Sequence, residues 1–166
     1  MKKSRVRSGD FSSVVTHQDR VYAASWQDSA PSALYIYEFM KSWSEVKSFF
    51  VLRGWVTLSV TDHQITCCSS SESTIAVYSQ RGQLLETYGT CGSGGIGQLH
   101  WPFITDSDGS VLIADCRKNR LQVMSEQGEF GVVQLQPPVL QPRCAVRLNS
   151  CLYVTSWNTN KIFQYT

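Results

Sequence analysis

Short apolar stretches recur along the whole chain, each broken by turn residues before an amphipathic helix could form. Four of them read alike: Leu34-Tyr35-Ile36-Tyr37, Ile75-Ala76-Val77-Tyr78-Ser79, Leu121-Gln122-Val123-Met124-Ser125 and Ile162-Phe163-Gln164-Tyr165-Thr166. Their first residues stand 41, 46 and 41 positions apart. Several short strands and turns fit between one and the next. A repeat of this length is the mark of small antiparallel sheets stacked as blades around an axis. The one competing signal is a weak helical period over 44–50.

The third unit is the clearest. A glycine-rich connection, Gly92 to Leu99, precedes a short strand over 101–105, and Asp106-Ser107-Asp108-Gly109 supplies turn chemistry. Val111-Leu112-Ile113-Ala114 is too continuously apolar to have a wet face, as expected of a strand covered on both sides. After the polar loop 115–120 come a strand over 121–125, a turn at Gly128 and an outer strand over 130–135. The fourth unit repeats this with strands over 142–148, 152–155 and 162–165. The second reads as strands over 55–61, 65–68, 75–79 and 83–88. The first is the most degenerate, with strands over 14–17, 20–24 and 34–39 and a longer loop from Trp26 to Ala33. The expected fold is therefore an all-β propeller of about four antiparallel blades, near 10–50, 51–89, 98–136 and 142–166, in a single domain. A compact ring closed by a strand over 4–8 is the alternative to an open arc of these blades.

The third unit also carries a more specific pattern: Gly94-x-x-Gly97-x-Leu99-x-x-Pro102, then Asp108-Gly109-Ser110-Val111-Leu112-Ile113-Ala114-Asp115-x-x-x-Asn119-Arg120-Leu121-Gln122-Val123, then Gly128-x-Phe130. It resembles an NHL repeat, similar to the propellers at the end of tripartite-motif proteins. In the fourth unit Asn160-Lys161-Ile162 stands for Asn119-Arg120-Leu121, with Ser156 in place of Asp115. The resemblance implies a six-bladed ring, of which these units would be a partial arc. It also implies a loop face that presents protein or RNA targets, in some members for ubiquitin transfer. An arc with uncovered end blades is expected to self-associate.

Composition narrows the function. The 166 residues carry a net charge of +2, and 42% are apolar. That balance is ordinary for a soluble domain and permits nucleic-acid binding without arguing for it. Four cations lie in the first seven residues with no apolar run behind them, so no signal peptide is read there. No stretch approaches the roughly 18 apolar residues of a membrane span, and a cytoplasmic location without membrane contact is expected. Six cysteines without a CxxC spacing fit reduced thiols. A hairpin turn at Asn149-Ser150 would pair Leu148 with Cys151 and set Cys144 against Thr155, so these two sulfurs do not face each other. Cys67 and Cys68, being adjacent, point to opposite faces of a strand.

Loops joining the second and third strands of a blade share one end of a propeller with the connections between blades. Trp26, Arg117, Lys118, Asn119, Trp157, Asn158 and Asn160 fall on that end from within blades, and Arg143 from a connection. Tryptophans among cations and amides suit protein hot spots, and they also suit base stacking and phosphate contact. These eight are the candidate partner- or RNA-binding residues. Trp55 and Trp101, at matching places before a first strand, are expected to pack between blades. Asp115 with Arg120 reads as a clamp on its own loop. The glycine run at 92–97 lacks the Gly-Lys-Ser/Thr ending of a phosphate loop. Ser13, His17 and Asp19 cluster locally, but alternation along a strand sets neighbours on opposite faces, and the chain has no Gly-x-Ser-x-Gly elbow. The expectation is a non-catalytic module that binds protein, or alternatively RNA, without cofactor or metal. A metal-dependent propeller hydrolase or lyase is the third reading.

Overall fold

The computed structural model describes residues 10–26, 31–39, 43–91, 97–99, 102–107 and 110–166. Blade one is an antiparallel sheet of β1 (Phe11–His17), β2 (Arg20–Ser25), β3 (Pro31–Phe39) and β4 (Trp43–Arg53). Blade two follows with β5 (Val56–Val60), β6 (Gln64–Ser69), β7 (Thr74–Ser79) and β8 (Leu84–Tyr88). A small parallel pair, β9 (Thr90–Cys91) with β10 (Gln98–Leu99), leads into blade three. That blade holds β11 (Pro102–Ser107), β12 (Ser110–Asp115), β13 (Arg120–Ser125) and β14 (Phe130–Val133). Blade four has β15 (Pro142–Leu148), β16 (Cys151–Ser156) and β17 (Ile162–Tyr165). One 3₁₀ turn at Cys116–Lys118 is the sole helical element among the described residues.

The strands alternate because each sheet is sandwiched. In β12, Val111 and Ile113 join the core shared with blade two, while Leu112 and Ala114 join the core shared with blade four. Cys67 faces the core between blades one and two, and its neighbour Cys68 faces the core between blades two and three. Three such cores, one at each successive blade boundary, hold the described residues together. First strands are laced directly. Ser13 Oγ accepts the Leu58 N–H at 3.3 Å, and Thr57 Oγ1 accepts the Ile104 N–H at 3.1 Å. All-β architecture in four antiparallel blades is thus what the spacing of the repeats specified.

Several local expectations differ from the structure. The 44–50 stretch is not helical but lies within β4, paired along β3. Residues 47–50 pair with 36–33 without interruption, so simple alternation sets Phe49 against the core and leaves Phe50 exposed. The loop from Trp26 to Ala33 is shorter than expected, since β3 begins at Pro31 with Ser32 and Ala33 buried. The glycine-rich connection ends in the short strand β10, and β11 runs through Asp106 and Ser107, where a turn was expected. The register of β15 with β16 is as expected: Leu148 pairs with Cys151 and Cys144 with Thr155. Cys67, Cys68, Cys116, Cys144 and Cys151 are not joined in disulfides. The strand expected over 4–8, the Gly92–Ile96 run, Trp101 and the Asp108-Gly109 turn lie outside the described residues.

Candidate binding site at the loop end of the axis

At one end of the blades, three hydrogen bonds mark equivalent places. The Trp26 N–H donates to the Asp10 carbonyl at 2.7 Å, the Ser70 N–H to Trp55 at 3.1 Å, and the Trp157 N–H to Gln141 at 2.8 Å. Each bond ties the residue after the second strand to the residue before the first. The second strands end at Ser25, Ser69, Asp115 and Ser156, all buried. These residues fasten their own loops. Ser25 Oγ accepts the Ala33 N–H at 2.9 Å, Ser69 Oγ accepts the Glu72 N–H at 3.0 Å, and Ser156 Oγ donates to the Leu140 carbonyl at 2.7 Å. Asp115 accepts Arg120 Nε at 3.1 Å and Gln122 Nε2 at 3.4 Å, which is the clamp its position implied.

Loops held this firmly can present large side chains. Trp26, Trp55 and Trp157 are 37%, 40% and 48% exposed, and all three line one cavity of about 200 Å³. Trp26 and Trp55 lean together, their ring centroids 6.4 Å apart at 55°. Gly54, at φ +74°, turns the chain just before Trp55, and a Cβ there would collide with the Ser71 side chain. Phe103 and Arg143 complete the opposite wall, with Ser70 and Ser71 between. Arg143 is the extra residue of a β-bulge in β15, a device that re-aims a side chain. Its guanidinium carbon sits 4.2 Å from the Trp157 ring centroid and 6.0 Å from that of Phe103. This is cation–π geometry. All four blades therefore contribute to one pocket.

Of the eight candidate residues, the structure brings Trp26, Arg143 and Trp157 together in this pocket. Arg117 and Lys118 stand in the 3₁₀ turn of blade three and do not line it. The charges of Arg117 and Arg143 both act on the Cys116 thiol, so the turn is close by. Burial nevertheless outweighs them and pushes that thiol up. Asn119 adopts the left-handed conformation at φ 53°, and its Oδ1 accepts the Gln141 N–H at 2.8 Å, tying blade three to blade four. Asn158 and Asn160 lie exposed in the loop after β16, outside the pocket. Trp55, expected between blades, is instead a pocket wall. Phe103, Ser70 and Ser71 were not singled out by sequence. The matching positions of Trp55 and Trp101, 46 residues apart, were the signal that could have drawn Trp55 in.

The opposite end holds a wider cavity of about 560 Å³, with His17, Asp62, His63 and Glu126 among its lining. His17 Nε2 lies 2.8 Å from Asp62 Oδ1, which also accepts Gln18 Nε2 at 2.6 Å. The hydrogen bond from His17 holds the Asp62 carboxyl below its usual range. Ser13 Oγ is engaged with the Leu58 N–H, and Ser13 is not among the residues lining this cavity. Among the described residues no three His, Cys, Asp or Glu side chains gather as a metal site.

No family model and no curated protein matches the sequence. Solved structures share its fold. The computationally designed Ika4 protein superposes with a TM-score of 0.69 at 9% identity, over 99% of this chain and 98% of that one. Virginiamycin B lyase from Staphylococcus aureus gives 0.68 at 14%, over 98% of this chain and 54% of the lyase. BamB from Moraxella catarrhalis gives 0.61 at 12%, over 86% and 39%. The chain thus matches the designed protein end to end and spans about half of the lyase. At these identities the likeness is one of fold.

Proposed function

We propose that this chain is a non-catalytic interaction module that holds a protein partner at the loop end of its propeller axis, in the manner its NHL-like third unit implies. The observation that carries this reading is the pocket where Trp26, Trp55, Phe103, Arg143 and Trp157 converge from four blades. Tryptophan and arginine around a small concavity are the residue types that dominate binding energy at protein interfaces. The cavity, about 200 Å³, is smaller than the roughly 300–1,000 Å³ typical of small-molecule sites. It suits one inserted side chain better than a whole metabolite. Among the described residues lining it there is no histidine, cysteine, aspartate or glutamate, which favours recognition over acid–base chemistry.

The test is affinity capture with the whole chain, alongside Trp157→Ala and Arg143→Met, each with and without nuclease. The expected result is a set of proteins retained by the parent chain, lost from both variants and indifferent to nuclease. Capture that disappears with nuclease, and falls steeply with salt through phosphate neutralisation, would replace this reading by the RNA-binding one. Capture unchanged in both variants would remove the pocket from the binding surface.

A further inference from the structure

Arg143 is the unusual member of the pocket. Its ring contacts are cation–π contacts, which draw on the charge of the guanidinium and use none of its five N–H donors in hydrogen bonds. Among the described residues no carboxylate and no hydrogen-bond acceptor meets those donors. Among the described residues the pocket wall contributes no negative charge to balance it. The hydroxyl of Ser70 is turned to the Trp55 carbonyl at 3.3 Å. The bulge at Arg143 thus sets a cation over the Trp157 ring, in a pocket whose described lining holds no carboxylate. The Trp26–Trp55 pair supplies an apolar wall in the same pocket.

Resting on the protein-binding reading, we infer that the pocket takes an acidic side chain, whose carboxylate pairs with Arg143 while an adjoining apolar side chain lies against Trp26 and Trp55. A carboxylate matches the guanidinium fork with two parallel hydrogen bonds. An acidic side chain is favoured over a chain-terminal carboxylate because terminal carboxylates are usually captured by backbone N–H groups. The N–H groups of Trp26, Ser70 and Trp157 are already spent on the carbonyls of Asp10, Trp55 and Gln141.

The experiment follows the indole N–H signals of Trp26, Trp55 and Trp157 in the ¹⁵N-labelled full chain. Four probes are titrated: acetyl-Gly-Phe-Glu-Gly-amide, its Gln isostere, acetyl-Gly-Phe-Gly with a free carboxyl terminus, and hexauridylate. The Glu peptide is expected to shift these signals and to bind at least tenfold tighter than the Gln peptide. Arg143→Met, which keeps an apolar stem on Trp157, abolishes that preference, and Arg143→Lys retains part of it. Unchanged amide spectra away from the pocket confirm that each variant is folded. Equal affinity for the Glu and Gln peptides, or absence of shifts with either, overturns the inference. So does tighter binding of the free carboxyl terminus or of hexauridylate. If capture of a protein still depends on Trp157 while the Glu preference is missing, the carboxylate assignment alone falls and the interaction module stands.

Discussion

Blade three fastens its loop with a charged pair where the other blades use serine, and this difference can be measured. Asp115 is completely buried and accepts Arg120 Nε at 3.1 Å and Gln122 Nε2 at 3.4 Å. Removing one partner of a fully buried ion pair costs about 3–5 kcal/mol. The Arg120 side chain keeps 19% of its surface in water, so part of that cost is recovered by solvent, and Asp115→Ala is expected to cost about 2–4 kcal/mol. For a domain of this size that is a fall in Tm of about 4–16 °C. Position 120 pairs with 115 as Thr74 pairs with Ser69 in blade two. The double replacement Asp115→Ser with Arg120→Thr therefore rebuilds the blade-two clamp, in which Ser69 Oγ donates to the Arg53 carbonyl at 2.7 Å. It is expected to lie within about 1 kcal/mol of the parent, because a hydroxyl bonded to backbone leaves no buried charge behind. Urea unfolding followed by tryptophan fluorescence gives both values. A double variant as unstable as Asp115→Ala would refute the equivalence of the four clamps.

Gly128→Ala should destabilise by about 3 kcal/mol, combining about 1–2 for a side chain at positive φ with about 1–3 for overpacking. Gly128 sits at φ +81°, and the new Cβ would fall within the Tyr88 ring that packs on Phe130; a urea midpoint unchanged from the parent contradicts this. Asp62 is held below its ordinary 3.8, first by the hydrogen bond from His17. Its stabilising contribution is therefore present above that ordinary value and lost as pH falls through the depressed one. Carboxyl NMR should show the Asp62 midpoint rise in His17→Ala, and a midpoint that stays put would exclude the His17 contact as its cause. In a Cys91→Ser background, Ellman's reagent should titrate Cys144 and Cys151 in the native protein and reach Cys67, Cys68 and Cys116 after unfolding. Rapid native reaction of more than two thiols would contradict the blade cores.

The fold was legible wherever local chemistry decided it. The hairpin of β15 and β16 followed from the turn at Asn149-Ser150, and the continuous apolarity of Val111 to Ala114 already required two covered faces. Blade one resisted because Phe50 is apolar yet exposed, so that with Phe49 beside it the stretch 44–50 reads as a helical face where the strand in fact alternates. The start of β3 was hidden because Ser32 and Ala33 are small, and their burial reflects what packs on them rather than their own apolarity. The pocket was only half legible. Polar surroundings flagged Trp26 and Trp157 as exposed, and a place at the connection between blades three and four flagged Arg143. Convergence of these with Trp55 and Phe103 depends on how four blades meet at an axis, and no local pattern encodes that.

The tryptophans nevertheless follow a rule once the paired positions are seen. At the loop end of blades one, two and four, the residue before the first strand is hydrogen-bonded to the residue after the second. Either member can deliver a side chain to the same region. The pairs are Asp10 with Trp26, Trp55 with Ser70, and Gln141 with Trp157, so each holds one indole and one smaller partner. Two indoles on one such bond would compete for the same space. The choice of member follows the backbone. Blades one and four carry a bulge at Ser12 and Arg143, and each places its tryptophan after the second strand. Blade two pairs β5 with β6 without a bulge and places its tryptophan before the first strand. An extra residue in the first strand displaces the chain at its entrance, so the exit of the second strand becomes the member able to reach the axis. That alternation also explains why the repeat spacing did not reveal the pocket. Equivalent indoles sit on different strands, and the 41- to 46-residue period links only those delivered from the same side.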